Sequence, residues 1–170
     1  MSYRRQRSDT YGGRKTSFHA RHSRPLKNRA APRNEKLRMR LLQLNPKIEA
    51  YNGKSISVSF DGEILRNSIK IVPHEVWVGS WTKSPNLLID DDIPEKPKKW
   101  RQSVALHEIL EKYLDGRYGL SGTIEGHFIA EELERKWFLQ HHSEKEYDEY
   151  QRIVEVTHRV ELGFLEKKKG

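Results

Sequence analysis

The apolar residues of this 170-residue chain change their period once, near Ile93-Pro94. Before that point they alternate with polar residues, as on a strand with one buried face; after it they recur every three to four residues, as on a helix with one buried stripe. Strands therefore come first and helices second. Residues 54–60 (KSISVSF) alternate between Asn52-Gly53 and Asp61-Gly62, turn dipeptides that bracket a hairpin strand. Further strands are predicted at 68–72 (SIKIV), 75–79 (EVWVG) and 86–90 (NLLID). A short helix is predicted over 32–43, ended by Asn45-Pro46, and three more over 98–115, 122–140 and 144–166. Ser143 followed by Glu146 forms a capping box at the start of the last. The predicted fold class is α+β, a small, mostly antiparallel sheet followed by a three-helix C-terminal half.

Charge divides the chain a second way. Residues 1–40 carry 13 basic and 2 acidic residues, whereas 41–170 carry 19 basic and 22 acidic ones, so the net +8 belongs to the N-terminus. Up to Arg33 the large apolar residues are Tyr3, Tyr11, Phe18 and Leu26, too few to offset the entropy of ordering. The expected organisation is a disordered basic tail over 1–33 and a single domain over 34–166. Arg4, Arg5, Arg7, Arg14, Lys15, Arg21, Arg24, Lys27, Arg29 and Arg33 suit an arm that neutralises phosphates, giving nucleic acid or a nucleoprotein as partner without sequence preference. The alternative is a solvated tail that only raises solubility. The absence of cysteine excludes disulfides and thiolate metal sites. No stretch approaches the roughly 18 apolar residues of a membrane span, so no membrane partner is expected. The opening MSYRRQRSDTYGGRK lacks the apolar core of a secretory signal, which favours the cytoplasm or a virion assembled inside a cell.

Chemistry concentrates between Trp100 and Phe138. On a helical wheel, His107 and Glu111 fall inside the stripe formed by Trp100, Val104, Leu110 and Leu114, all within about 60° of His107. Glu108 falls on the flank of that stripe, where it is expected to reach a site without being buried under it. The following segment repeats the device: His127 and Glu131 share a meridian with Ile124, Ala130 and Phe138. An ionisable group facing a core is costly unless it is paired or bound to metal. Two antiparallel helices joined by the glycine-rich turn Asp115–Gly122 would bring His107, Glu111, His127 and Glu131 together as ligands for a divalent ion, zinc being the first choice among zinc, iron and manganese. The alternative is a metal-free core in which these groups pair with one another or with Arg and Lys.

The strand at 86–90, the loop with Pro94, and a helix carrying His107-Glu108-x-x-Glu111 resemble the core of the small zincin metallopeptidases. Glu111 stands where the second histidine of their HExxH motif stands, and the resemblance spans about residues 86–131. It implies His107 and Glu111 as metal ligands, His127 or Glu131 as the downstream ligand, and Glu108 as the general base that takes a proton from metal-activated water. It also implies the strand at 86–90 as an edge for an extended peptide substrate.

Other candidates have simpler readings. His74, His141 and His142 are not expected to be ligands, and His158 is expected to pack. Trp77, Trp81, Trp100 and Trp137 are expected at the core and its rim, and Asp90-Asp91-Asp92 in a solvated turn. The expected function is a metal-dependent hydrolase, a peptidase being one form, with a nucleic-acid-binding tail. The competing reading is a non-catalytic, nucleic-acid-associated structural protein, ribosome-bound or in a virion. A third is a small nuclease whose carboxylates hold a divalent ion.

Overall fold

The computed structural model describes residues 35–73, 78–81, 84–120 and 124–167, with side chains as far as Thr157 except that of Ile124. The expected tail, residues 74–77 with His74 and Trp77, and the side chain of His158 lie outside the described residues. Contacts divide the chain into two units between Arg33 and Asn34. The elements of the second unit are α1 (Glu35–Gln43), β1 (Lys47–Tyr51), β2 (Ser55–Phe60), β3 (Glu63–Val72), β4 (Gly79–Ser80), β5 (Leu87–Asp90), α2 (Lys99–Tyr118), α3 (Ile124–His141) and α4 (Glu144–Lys167). The class is α+β: a mostly antiparallel five-stranded sheet followed by helices. No helix among the described residues is long and apolar enough to cross a membrane.

The sheet order is β1-β2-β3-β5-β4, with only β3 and β5 parallel. The β2–β3 hairpin turns on Asp61-Gly62, both with positive φ (50° and 79°), the paired left-handed conformation of a two-residue hairpin loop. Strand β1 escapes a search for alternation because its register slips between Ile48 and Ala50, so Ile48 and Tyr51 share a face despite their odd spacing. Of the strand expected at 75–79, the described residues show β4 at Gly79–Ser80.

Contrary to expectation, the strand at 86–90 is not an edge. Strand β5 lies between β3 and β4, and the edge beside it is β4. All four of its residues are buried, because Leu87 and Ile89 join the main core while Leu88 packs with Val72 apart from it. A strand covered on both faces loses its alternation.

Helix α2 runs through the core, and every residue from Ser103 to Leu110 is buried. A helix with one solvated side would bury only its stripe; this one has the sheet on one side and α3 and α4 on the other. Glu108 is therefore buried as well, contrary to the flank position read from the wheel, since that flank meets β4. Stacked rings bring α4 onto the pair: Trp100 on Phe138 at 6.0 Å, and Phe138 on Tyr150 at 5.6 Å. The capping box forms, with the Ser143 amide donating to Glu146 at 2.8 Å and the Glu146 amide donating to Ser143 Oγ at 3.3 Å. Lys136 of α3 donates to the carbonyls of Leu42, Gln43 and Leu44, placing a cation at the negative end of α1.

Candidate metal centre

The site lies where α2 and α3 face each other. Gly119, in the left-handed conformation, closes α2 through its amide on the Asp115 carbonyl. Gly126 lets the first turn of α3 approach, since a Cβ there would lie 2.5 Å from the Leu120 carbonyl oxygen. This seats His127 against the middle of α2. Side-chain pairing then runs in opposite senses along the two helices: Ser103 meets Glu134, His107 meets Glu134 and His127, and Glu111 meets His127.

His107 Nε2 lies 3.1 Å from His127 Nδ1 and 4.0 Å from a Glu111 oxygen, and the other Glu111 oxygen is 3.7 Å from His127 Nδ1. Two atoms bound to one tetrahedral zinc ion would sit about 3.3 Å apart. The imidazole pair is close to that spacing, and a small rotation of the carboxylate would bring Glu111 to it. The side chains open outwards, His107 being 11 % exposed, Glu111 23 % and His127 60 %, so the third side of the group faces solvent.

The opposite nitrogen of His107 is held from behind. Nδ1 lies 3.0 Å from Glu134 Oε2, and the other oxygen of Glu134 accepts from Ser103 Oγ at 2.7 Å. Tyr150 of α4 also hydrogen-bonds Glu134. With Nδ1 held by this buried carboxylate, Nε2 is the nitrogen that faces His127 and Glu111, the one that ligates a metal once it gives up its proton. Indole N–H of Trp81, just beyond β4, bonds Glu111. The donor set thus fits a divalent ion of mixed N and O preference, and the pairing that holds it is in place without one.

Protonation follows the same contacts. Burial alone would push His107 down, but the hydrogen bond and charge of Glu134, with Glu108 and Glu111, raise it to about 9. Burial raises Glu108 to about 8, although the charge of His107 opposes it. Burial would raise Glu111 too, but the His127 hydrogen bond and the histidine charges outweigh it and hold the carboxyl below its ordinary value.

Among the residues expected at the site, His107, Glu111 and His127 converge within 4.8 Å. Glu108 sits one residue along, beneath β4, where a Cβ on Gly79 would come within 2.6 Å of Glu108 Oε1. Glu131 lines the same cleft but is not among the three whose ligating atoms meet. That cleft has a volume of about 500 Å³, with Val78–Trp81 on one wall and Tyr150, Gln151, Val154 and Glu155 of α4 on another. Asp91 and Asp92 are exposed as expected of a turn, but Asp90 is wholly buried, its Oδ1 accepting from the Asp92 amide.

Sequence reasoning missed Glu134, although it lies seven residues after His127 and so nearer its meridian than Glu131. Ser103, four residues before His107, carried the same signal. Trp81 and Tyr150 had none, since they reach the site only through the packing of β4 and α4. Comparison of the chain with family models, with curated proteins and with solved structures gives no match.

Proposed function

We propose that this chain is a metal-dependent hydrolase, zincin-like in the layout of its site and acting on peptides, with His107, Glu111 and His127 holding a divalent ion, zinc by first preference. The observation that carries this reading is the convergence of those three side chains at the floor of an open cleft, one residue from a buried glutamate. Three protein ligands and an open side are the arrangement of catalytic rather than structural zinc. When bound, the ion supplies Lewis acidity and lowers the pKa of a water at the open position.

The chain's own residues divide the remaining work. Glu134 and Ser103 orient His107, and Trp81 holds Glu111. Glu108, buried beneath β4 and adjacent to His107, is assigned the proton taken from the water and returned to the leaving group. Glu131 stands on the cleft wall. The edge strand β4, rather than β5, is the backbone beside which a substrate would lie.

The nuclease reading is weaker on this site. Glu108, Glu111, Glu131, Glu134 and Glu155 line the cleft and, among the described residues, no Lys or Arg does, so the ion alone would have to hold a phosphodiester. Nucleic-acid or nucleoprotein binding is assigned instead to residues 1–33, on the charge segregation of the sequence, and a cytoplasmic or virion setting accords with the cysteine-free composition. A steep loss of binding with salt that removal of residues 1–33 abolishes is expected; equal binding without them would exclude that role.

The test of the site is elemental analysis of the natively purified protein beside Glu111→Ala and His127→Ala. Near-stoichiometric metal in the wild type, lost in both variants, is expected, together with a Glu108→Gln protein that keeps metal and loses hydrolysis. A wild type that holds no metal even after reconstitution would end the proposal.

A further inference from the structure

The walls of the cleft are chemically divided. Val78, Trp81, Val104 and Val154 supply apolar surface, while the titratable lining is five glutamates, two histidines and Tyr150, with neither Lys nor Arg among the described residues. Most of these glutamates are engaged within the site: Glu134 holds His107, Glu111 meets His127 and Trp81, and Glu108 is buried beneath Gly79. Glu131 differs. It is exposed on α3, faces the cleft, and lies one helical turn from His127. Glu155, also exposed, lies on the α4 wall and has contacts of its own.

Apolar walls with an acidic rim match an aliphatic stem that ends in a cation. An inorganic cation would leave the apolar surface uncovered, an apolar side chain would leave the carboxylates facing it unsolvated, and an anion would be repelled. Lysine and arginine side chains combine both requirements, burying their methylenes and keeping the charged head at the rim.

We infer that the cleft selects a peptide bearing a Lys or Arg side chain, with Glu131 as the specificity-determining carboxylate. The inference names the substrate class for the hydrolase proposed above and rests on that reading for its catalytic consequence; binding itself is measured separately. Glu131 meets the cation while its neighbour His127 serves the ion, which gives the paired residues of α3 different tasks. A partly exposed carboxylate discriminates modestly, and with Glu155 nearby a preference of about threefold to tenfold is expected.

The experiment uses the full-length, zinc-reconstituted protein and four fluorescently labelled hexapeptides identical but for a central Lys, Arg, norleucine or Glu. Affinities are measured by anisotropy at low and moderate salt, against wild type, Glu131→Gln and Glu131→Lys. The expected result is that the Lys and Arg peptides bind about threefold to tenfold tighter than norleucine. That margin should shrink in Glu131→Gln, disappear in Glu131→Lys, and narrow as salt rises. Equal affinity for norleucine, a preference unchanged by Glu131→Lys, or no binding of any peptide would each overturn the inference. Metal content, measured on the same samples, reports separately on the proposed metal site, so failure of one is not mistaken for failure of the other.

Discussion

Glu134→Gln and Glu134→Ala separate the two ways in which a carboxylate behind the histidine could serve the site. In the wild type Glu134 is 4 % exposed and bonds His107 Nδ1 at 3.0 Å and Ser103 Oγ at 2.7 Å, with Tyr150 as a further partner. Glutamine keeps the shape. Its amide nitrogen can turn to Ser103 and its oxygen still accept from His107, so the tautomer survives while the charge is lost. A charge-assisted hydrogen bond is about twice as strong as a neutral one, which makes the difference about 1 kcal/mol, or roughly fivefold in metal affinity. Alanine removes the acceptor altogether. The Nε2 lone pair is then no longer enforced, and affinity should fall towards a hundredfold, the upper end for supporting carboxylates of metal-bound histidines. Alanine also strands the donors of His107 Nδ1 and Tyr150, while Ser103 keeps its bond to Tyr150; at about 1–3 kcal/mol for each stranded group, the metal-free variant should lose about 2 kcal/mol or more of stability. Ser103→Ala is the control: it removes one contact to Glu134 without touching His107 and should change affinity by less than about threefold. Zinc affinities come from competition with a chromophoric chelator at fixed pH, and stabilities from urea unfolding of metal-free protein. A folded Glu134→Ala protein that binds zinc as tightly as wild type would refute the assignment of Glu134 to His107.

Contacts elsewhere in the domain set further expectations. Gly79→Ala places a Cβ 2.6 Å from Glu108 Oε1 and 2.8 Å from Val104 Cγ1, so β4 or Glu108 must move; hydrolysis should fall sharply while metal content stays near wild type. Unchanged turnover would show that the position of Glu108 beneath β4 is immaterial. Phe138→Ala removes one of three mutually stacked rings, with Trp100 and Tyr150, and should cost about 3–5 kcal/mol in urea unfolding. The Lys99 and Ser143 contacts hold Glu146 at about 2, below its ordinary 4.5. A lowered carboxylate contributes stability that is complete above about pH 4.5 and lost as pH falls through 2, so unfolding midpoints should drop over that range. Lys99→Met should flatten that drop, and an unchanged acid profile in the variant would exclude the pair as its source.

Local pattern determined more of this protein than its length would suggest. The change of period at Ile93-Pro94, the Asp61-Gly62 turn and the Ser143 capping box lie within a few residues of their causes, so the class, the hairpin and the helix starts were legible. The wheel also grouped His107 with Glu111, and His127 with its own helix face, because helical geometry is set by backbone alone. What tertiary packing decided was the rest. The pairing of β5 between β3 and β4 depends on contacts that no local pattern encodes, and it moved the sheet edge to β4. The sheet then covered the flank of α2 and buried Glu108, which a wheel drawn for an isolated helix leaves accessible. Glu134 was on the right meridian but competed with Glu131 on the same face until α2 fixed which carboxylate faces Nδ1. Trp81 and Tyr150 are distant in sequence from what they hold. A sequence records which side chains share a face; only the close packing of one face on another decides which atoms meet, and the chemistry of this site lies in those meetings.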